Sequence, residues 1–430
     1  MSATSSVRVV MLGLGVVGSG VARALTERAD TYARRVGVPL ELRKVLVRSA
    51  EKPRDIALAA GVLTADPEEA LSTECDIVIE VIGGEEPAHA YIKRCLEQRR
   101  YVVTGNKEVM AKHGPQLLSM ATSAGVDILY EASVGGGIPI VSPLKRDLSA
   151  NDITSLRAII NGTTNYILTR MSRDGADFAD ALTGAQELGY AEADPTNDIE
   201  GHDAVYKLAI LASLAFHTTV RPEDIHREGI TRLTPRDFRY AAELGYAIKL
   251  LAVARHNPGG VEARVQPTFI ARDELLANVD GVLNAVQVEG DLIGRVLFQG
   301  AGAGSLPTTS AVMADVLDAA RSIVLGGKPS PWRYTADMPV VPISGLVSRH
   351  YIRLEVADKP GVLAVIARSF GDNGVSIASV IQKETNEAVQ TAELVIMTHA
   401  ARESAVRASL DQIAGVADVT QVGSVLRVED

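Results

Sequence analysis

A strand pattern from Val7 to Leu12 runs directly into Gly13-Leu14-Gly15-Val16-Val17-Gly18 and then into a helical pattern. No other stretch limits the fold of the chain so strongly. Strand, Gly-x-Gly-x-x-Gly, helix is the order required to cradle a dinucleotide. Gly13 permits the tight turn, Gly15 lets a pyrophosphate approach the backbone, and Gly18 lets helix and strand pack closely. The helix start offers free N–H groups and the positive end of a dipole to the phosphates. The spacing predicts a helix to about Val36, a strand over about Leu40 to Val47, and further strands at 76–81 and Tyr101 to Thr104. Helices at Pro87 to Gln98 and Val109 to Ala124 alternate with them, which predicts an α/β, Rossmann-like doubly wound domain.

The second strand ends at Arg48, with Lys52 nearby. A site selective for NAD carries Asp or Glu there, to hold the ribose 2′-hydroxyl. A guanidinium suits a 2′-phosphate instead, so NADP is favoured over NAD. Thr104-Gly105-Asn106-Lys107 follows the strand Tyr101 to Val103. Ligands of such sheets sit at the carboxyl ends of strands, which places Thr104 and Lys107 for cofactor or substrate. Gly135-Gly136-Gly137 reads as a hinge, and Gly300 to Gly304 is a second glycine loop followed by Pro307 at a helix start.

At 430 residues the chain has room for two or three domains. Its net charge of −10 argues against nucleic acid or an anionic membrane as partner. No apolar run reaches the length of a membrane helix, and the first residues lack the pattern of a signal peptide. Cys75 and Cys95 form no metal-ligand pattern. We expect reduced thiols and a cytoplasmic protein.

Ala185 to Lys207 places Glu192, Asp194, Asp198, Asp203 and Lys207 in one dense cluster. Gly189, Pro195 and Gly201 keep its first part turn-rich. From Asp203 the pattern is helical, so Asp203 and Lys207 share one face near a helix start. Alone, that pair reads as a surface ion pair. In its context it resembles the homoserine dehydrogenase signature, which is matched by Ala185, Gly189, Tyr190, Ala191, Asp194, Pro195, Asp198, Ile199, Gly201, Asp203 and Lys207. The likeness runs from about Val7 to the C-terminus.

The resemblance implies interconversion of L-homoserine and L-aspartate 4-semialdehyde, on the route to threonine, methionine and isoleucine. It implies Lys207, Asp203 and Lys107 as catalytic residues, and Glu192, Asp203 and Asp198 as substrate-binding residues. It brings Gly189 and Gly304 to the nicotinamide half of the cofactor, and Asn161 to Asn165 to the substrate cleft. It also implies a monovalent cation, sodium first, held by Glu131 and the carbonyls of Val134, Gly136 and Ile138. One carboxylate among carbonyls is a hard-cation environment. With no kinase-like stretch before the glycine loop, we expect a dehydrogenase without a fused kinase.

Gly326 to Pro342 reads as a linker that contains the one tryptophan, Trp332, so part of it is expected to pack down. From about His350 the order βαββαβ predicts a ferredoxin-like unit. Asp358-Lys359-Pro360-Gly361-Val362-Leu363 and Gly371 to Val375 resemble an ACT domain, an amino-acid sensor that usually pairs. The effector candidates are Gly361, Asp372 and Asn373, with L-threonine the first ligand and a homodimer or homotetramer the expected assembly. The segments expected are thus 1–139 for the dinucleotide, 140–307 for catalysis and dimerisation, a helix of about 308–325 returning to the first domain, a linker over 326–348, and an ACT unit over 349–430. Two alternatives are an ACT-bearing 2-hydroxy-acid dehydrogenase and a non-catalytic dinucleotide sensor. The first requires a histidine aligned by a carboxylate in a recognisable motif. Intact Asp203 and Lys207 speak against the second.

Overall fold

In the computed structural model, which describes residues 5–327, 332, 334–386 and 390–429, β1 (Val7–Leu12) lies inside a six-stranded sheet. The other strands are β2 (Leu40–Leu46), β3 (Leu63–Thr64), β4 (Ile77–Glu80), β5 (Tyr101–Thr104) and β6 (Ile128–Leu129). Their order is β3-β2-β1-β4-β5-β6, and every neighbouring pair is parallel. Strands β4 and β5 are buried throughout, as strands covered on both faces must be. The strand order reverses between β1 and β4, which fixes the ligand crevice at their carboxyl ends.

The helices used below are, in chain order, α1 (Val16–Glu27), α2 (Ala29–Val36), α3 (Lys107–Ala124), α4 (Gly162–Asp174), α5 (His202–Ala215), α6 (Pro235–Glu243), α7 (Ser305–Val324), α8 (Val362–Asp372) and α9 (Glu403–Ala414). The single helix expected up to Val36 is two, because Arg28 leaves the helical region at φ −113° and ψ 18°. The break turns the chain so that Tyr32 and Val36 are buried. Helix α3 starts two residues early because the Asn106 side chain caps it, accepting from Val109 N–H at 3.2 Å. Helix α7 begins at Ser305, since Pro307 in a first turn costs no intrahelical hydrogen bond.

The chain packs as two compact units, one of residues 1–156, 206–223 and 284–338, the other of 157–205, 224–283 and 339–430. The first holds the parallel sheet and α7. The start of α7 touches the glycine loop: Ser305 Oγ donates to Val16 O at 3.1 Å. A Cβ on Gly20 would lie 2.2 Å from Thr309 Oγ1, so α1 and α7 touch there only because Gly20 has no side chain. Trp332 is packed down, stacked on His217 at 4.6 Å between ring centroids. Residues 328–331 and 333 of the expected linker lie outside the described residues.

In the second unit, the long antiparallel pair β7 (Tyr246–Asn257) and β8 (Gly260–Ala271) is followed by β9 (Val347–Ala357), β10 (Ile377–Asn386), β11 (Thr391–Thr398) and β12 (Val419–Glu429). With α8 and α9, the last four strands form the expected βαββαβ unit around Ile352, Leu354, Ile366, Phe370, Leu394, Ile396 and Ile413. The unit is not a separate bead. Its last strand continues the sheet of β7 and β8: β12 pairs with β8 in parallel, Thr268 with Arg427, Phe269 with Val428 and Ile270 with Glu429. Buried ion pairs cross the same seam. Arg264 Nη2 lies 2.6 Å from Glu429 Oε2, and Arg353 Nε lies 2.8 Å from Asp237 Oδ1. Ser424 Oγ donates to Asp237 Oδ2 at 2.7 Å.

Candidate active site

The glycine loop has the geometry its sequence requires. Gly13 has φ 104°, and a Cβ there would lie 2.8 Å from Val81 O. A Cβ on Gly18 would lie 2.4 Å from Gly13 O, whereas nothing stands within 4 Å of one on Gly15. The loop is thus closed on the sheet side and open at Gly15, where α1 begins with no side-chain cap. Leu14, Gly15, Val16 and Val17 present backbone N–H groups at that end, a fit for a pyrophosphate. Arg48 is exposed just past β2. Arg54 holds the following loop by donating to the carbonyls of Ser49 at 2.6 Å and Lys52 at 2.8 Å. Sequence reading passed over this residue because a loop arginine carries no signal of its target.

The Thr104 hydroxyl is committed to the strand ends. It donates to Glu80 Oε2 at 2.6 Å and accepts from Asn106 N–H at 3.0 Å. Burial raises the pKa of Glu80. Asn106 also donates to Gly84 O at 2.7 Å. Glu80 and Asn106, neither singled out in the sequence, therefore fix the turn that delivers Lys107 to the first position of α3. Lys207 lies in the second turn of α5 and is buried. One turn beyond their lysines, Met110 and Ala111 of α3 and Ala209 and Ile210 of α5 line one small cavity. Nearby, the Lys112 ammonium sits 5.6 Å above the Tyr206 ring.

The acidic residues are organised by Asn161. It caps α4, accepting from Thr164 N–H at 2.8 Å. Its amide nitrogen donates to Asp198 Oδ1 at 2.7 Å and Asp203 Oδ2 at 2.9 Å. Asn161 and Asp203 are both buried. The resemblance placed Asn161 at the substrate cleft but did not show it as the bridge between the two aspartates. Asp194 closes its own turn through Thr196, whose hydroxyl and N–H hold its carboxyl below the usual range. Glu192 is exposed, and Gly189 has φ 72°. Helix α5 carries Asp203 in its first turn and Lys207 one turn on, and hence on one face.

The two glycine loops face each other, which the sequence did not show. A Cβ on Gly136 would lie 2.3 Å from Gly302 O, and one on Gly137 would lie 2.7 Å from the Pro307 side chain. Gly137 N–H donates to Ala301 O at 3.0 Å. Gly304, with φ 117°, leads directly into α7. The Glu131 carboxylate caps the chain that follows it. Oε1 accepts from the N–H groups of Ile140 at 2.6 Å and Val141 at 2.8 Å, and Oε2 from Ser142 at 2.7 Å. Burial raises the pKa of Asp315 well above its usual value, and Asp315 accepts the Glu131 N–H at 2.8 Å. A cation at this loop therefore fits the backbone carbonyls of Val134, Gly136 and Ile138 better than the Glu131 side chain. No cluster of His, Cys, Asp or Glu suited to a metal occurs among the described residues.

Burial pushes the Cys75 thiol up to about 11 and the Cys95 thiol up to about 12, which makes both inert. No helix among the described residues is long and apolar enough to cross a membrane. In the C-terminal unit, Gly361 has φ 95° at the start of α8 and Asp372 is exposed. Asn373 ties α8 to α9 by donating to Ser369 O at 2.7 Å and Gln412 Oε1 at 2.9 Å.

Three family models match the chain: "Homoserine dehydrogenase, NAD binding domain" over residues 13–131, "Homoserine dehydrogenase" over 139–317 and "ACT domain" over 350–418. The homoserine dehydrogenase of Synechocystis sp. is 44% identical, covering 98% of this chain and 99% of that protein. That of Corynebacterium glutamicum is 41% identical over 99% of this chain and 96% of its own length. The crystal structure of a homoserine dehydrogenase from Thiobacillus denitrificans superposes with a TM-score of 0.93 at 42% identity, covering 99% of this chain and 98% of that one. A hyperthermophilic archaeal homoserine dehydrogenase in complex with NADPH matches with a TM-score of 0.62 at 28% identity, covering 73% of this chain and 97% of that one.

Proposed function

The chain belongs to the homoserine dehydrogenase family and interconverts L-homoserine and L-aspartate 4-semialdehyde with a nicotinamide dinucleotide; we propose the following roles for its own residues. Lys207 is the proton donor when the aldehyde is reduced. The carbonyl oxygen gains negative charge as the reaction proceeds, and the Lys207 ammonium both stabilises that charge and supplies the proton. In the oxidative direction Lys207 must take the proton back. Asp203 and Asp198, held by Asn161, receive the substrate ammonium together with Glu192. When bound, the nicotinamide accepts or donates the hydride at its C4. Gly13 to Gly18, Thr104, Gly189 and Gly304 shape its site, and Arg48 selects the 2′-phosphate, so NADP is preferred to NAD.

The observation that carries this reading is the Asn161 amide, which fixes two acidic side chains at the start of the helix that bears Lys207. Its test is absorbance at the reduced-nicotinamide band with L-homoserine and each oxidised cofactor. Signal with NADP and less with NAD supports it, and no signal with either contradicts it.

The carbonyls of Val134, Gly136 and Ile138 hold a monovalent cation that stiffens the paired glycine loops. The enzyme works in the cytoplasm as a homodimer or homotetramer. The C-terminal unit senses L-threonine near Gly361, Asp372 and Asn373. Cutting the chain near Pro342 would not test this, because it removes β12 from β8 and takes Glu429 from the buried Arg264 and Arg353 from the buried Asp237. Threonine titrated against the full chain and its Asp372→Ala variant is the cleaner comparison. Inhibition that is weaker in the variant supports the assignment, and equal inhibition removes it.

A further inference from the structure

Beneath the second glycine loop lies a buried amide whose polar atoms are unpaired. The strand Leu283–Gly290 carries Asn284 near its start, and its neighbour in the sheet, Gly294–Ala301, runs straight into Gly302. Asn284 is 0% exposed, yet neither Oδ1 nor Nδ2 has a hydrogen-bond partner. Burying an amide in this way is costly. A Cβ on Gly302 would lie 2.0 Å from Asn284 Cγ and Nδ2 and 2.5 Å from Oδ1, and these are the three atoms nearest to it. The φ of Gly302 lies outside the left-handed region, so glycine stands at 302 for the sake of the Asn284 amide. Alanine at 302 over a small apolar residue at 284 would fill the same space with no orphaned atom. The chain instead keeps an amide and a bare backbone face to face.

Chemistry fixes the partner that this amide requires. Oδ1 needs a donor and Nδ2 an acceptor. A cation or a carboxylate supplies only one of the two, whereas a peptide group supplies both, and the backbone that the amide touches is that of Gly302. From Gly300 to Gly304 no side chain is larger than a methyl, so the peptides of this loop can turn at little cost. The loop is also tied to the phosphate-binding turn. Ser305 Oγ donates to Val16 O at 3.1 Å, and α7 starts there with no side-chain cap. Val16 and Leu306, on either side of that bond, are both exposed, an apolar pair that a dinucleotide on Gly15 to Val17 would cover. We propose that Asn284 is a positioning residue for the cofactor: when the dinucleotide binds, the loop Gly300–Gly304 turns a peptide group onto the Asn284 amide and is fixed there.

The unliganded loop forgoes these hydrogen bonds and the bound loop makes them. The free energy recovered adds to cofactor affinity, because the ligand favours the state in which the buried groups are paired. Gly137 N–H donates to Ala301 O at 3.0 Å, so the same turn sets the loop Gly135–Gly137. This role of Asn284 depends on Gly13 to Gly18 holding the dinucleotide, and not on the roles given to Lys207 or Arg48.

The test compares the full chain with Asn284→Leu, which keeps the branched shape without the amide, and with Asn284→Ala, which removes both. Each protein is titrated with NADP and with NAD for the dissociation constant, and melted without ligand. Both variants should bind the cofactor that the wild type prefers about tenfold more weakly, the size of one to two lost hydrogen bonds. The unliganded melting temperature of at least one variant should equal or exceed that of the wild type, since an unpaired amide does not stabilise that state. A residue that only propped up the fold would lose stability in both. Unchanged binding in either variant, or a lower unliganded melting temperature in both, overturns the proposal. A wild type that bound neither dinucleotide would fail the cofactor reading first and take the role of Asn284 with it.

Discussion

At the scale of single residues, function rests on polar side chains whose partners lie far away in sequence. Asn161 reaches Asp198 and Asp203, 37 and 42 residues further along the chain. Asn161→Ala should take one hydrogen bond from each carboxylate, at a cost of about 1.5–3 kcal/mol. The expected result is a raised KM for L-homoserine with an unchanged dissociation constant for NADP, since the phosphate loop is untouched. Steady-state kinetics with a separate cofactor titration checks it. Arg48→Ala should weaken NADP by about 1.5–3 kcal/mol and leave NAD nearly unaffected; equal loss for both would remove Arg48 from the 2′-phosphate. The proposed catalytic residues could be picked out in sequence because glycine turns and the Asp203 to Lys207 spacing are local patterns. Asn161, Glu80 and Asn106 were not read as a framework, because a polar residue's type does not reveal a partner tens of positions away.

At the scale of elements, strand, turn and helix were legible almost throughout, since periodicity and glycine placement act locally. The break at Arg28 was not, because burial of Tyr32 and Val36 decides it rather than propensity. The facing of the two glycine loops was equally hidden: each reads alone as flexible, and only their contact explains why neither tolerates side chains. Glu131 illustrates the same limit. Glu131→Ala should cost about 2 kcal/mol or more, as loss of a buried cap serving three N–H groups. Thermal melts should show that loss at every sodium concentration, whereas a carbonyl-held cation would raise the wild-type Tm as sodium rises. A second element-level expectation concerns α9. Burial alone would raise the Glu403 carboxyl, but the bond from His350, the charge of Arg427 and the bond from Arg407 outweigh it and lower it from 4.5 to about 2. A depressed carboxylate contributes stability above its unfolded value that is lost as pH falls towards its folded one. The stability gap between wild type and Glu403→Gln should therefore be widest near about pH 7 and shrink by about pH 3. A gap independent of pH would contradict the ionised pairing.

At the scale of the whole molecule, the sequence suggests three domains, the last set beyond a linker over 326–348. The coordinates instead join the last strand to the catalytic segment's sheet and bury Arg264–Glu429 and Arg353–Asp237 across the seam. Sequence could not show this, because β12 reads as the closing strand of a complete βαββαβ unit whether or not its free edge is covered. Removing one partner of a buried ion pair costs about 3–5 kcal/mol, so a chain ending near Pro342 should express poorly or aggregate rather than behave as a deregulated enzyme. A soluble, fully active truncated form would refute that. Catalysis as proposed requires Lys207 to move the proton of L-homoserine while the glycine loop holds NADP independently. The direct measurement is turnover of the intact chain and of Lys207→Ala on L-homoserine, with NADP affinity determined in the same preparations. Turnover lower by about 10²–10⁴ with NADP binding unchanged is the predicted result; near-normal turnover in the variant would contradict it.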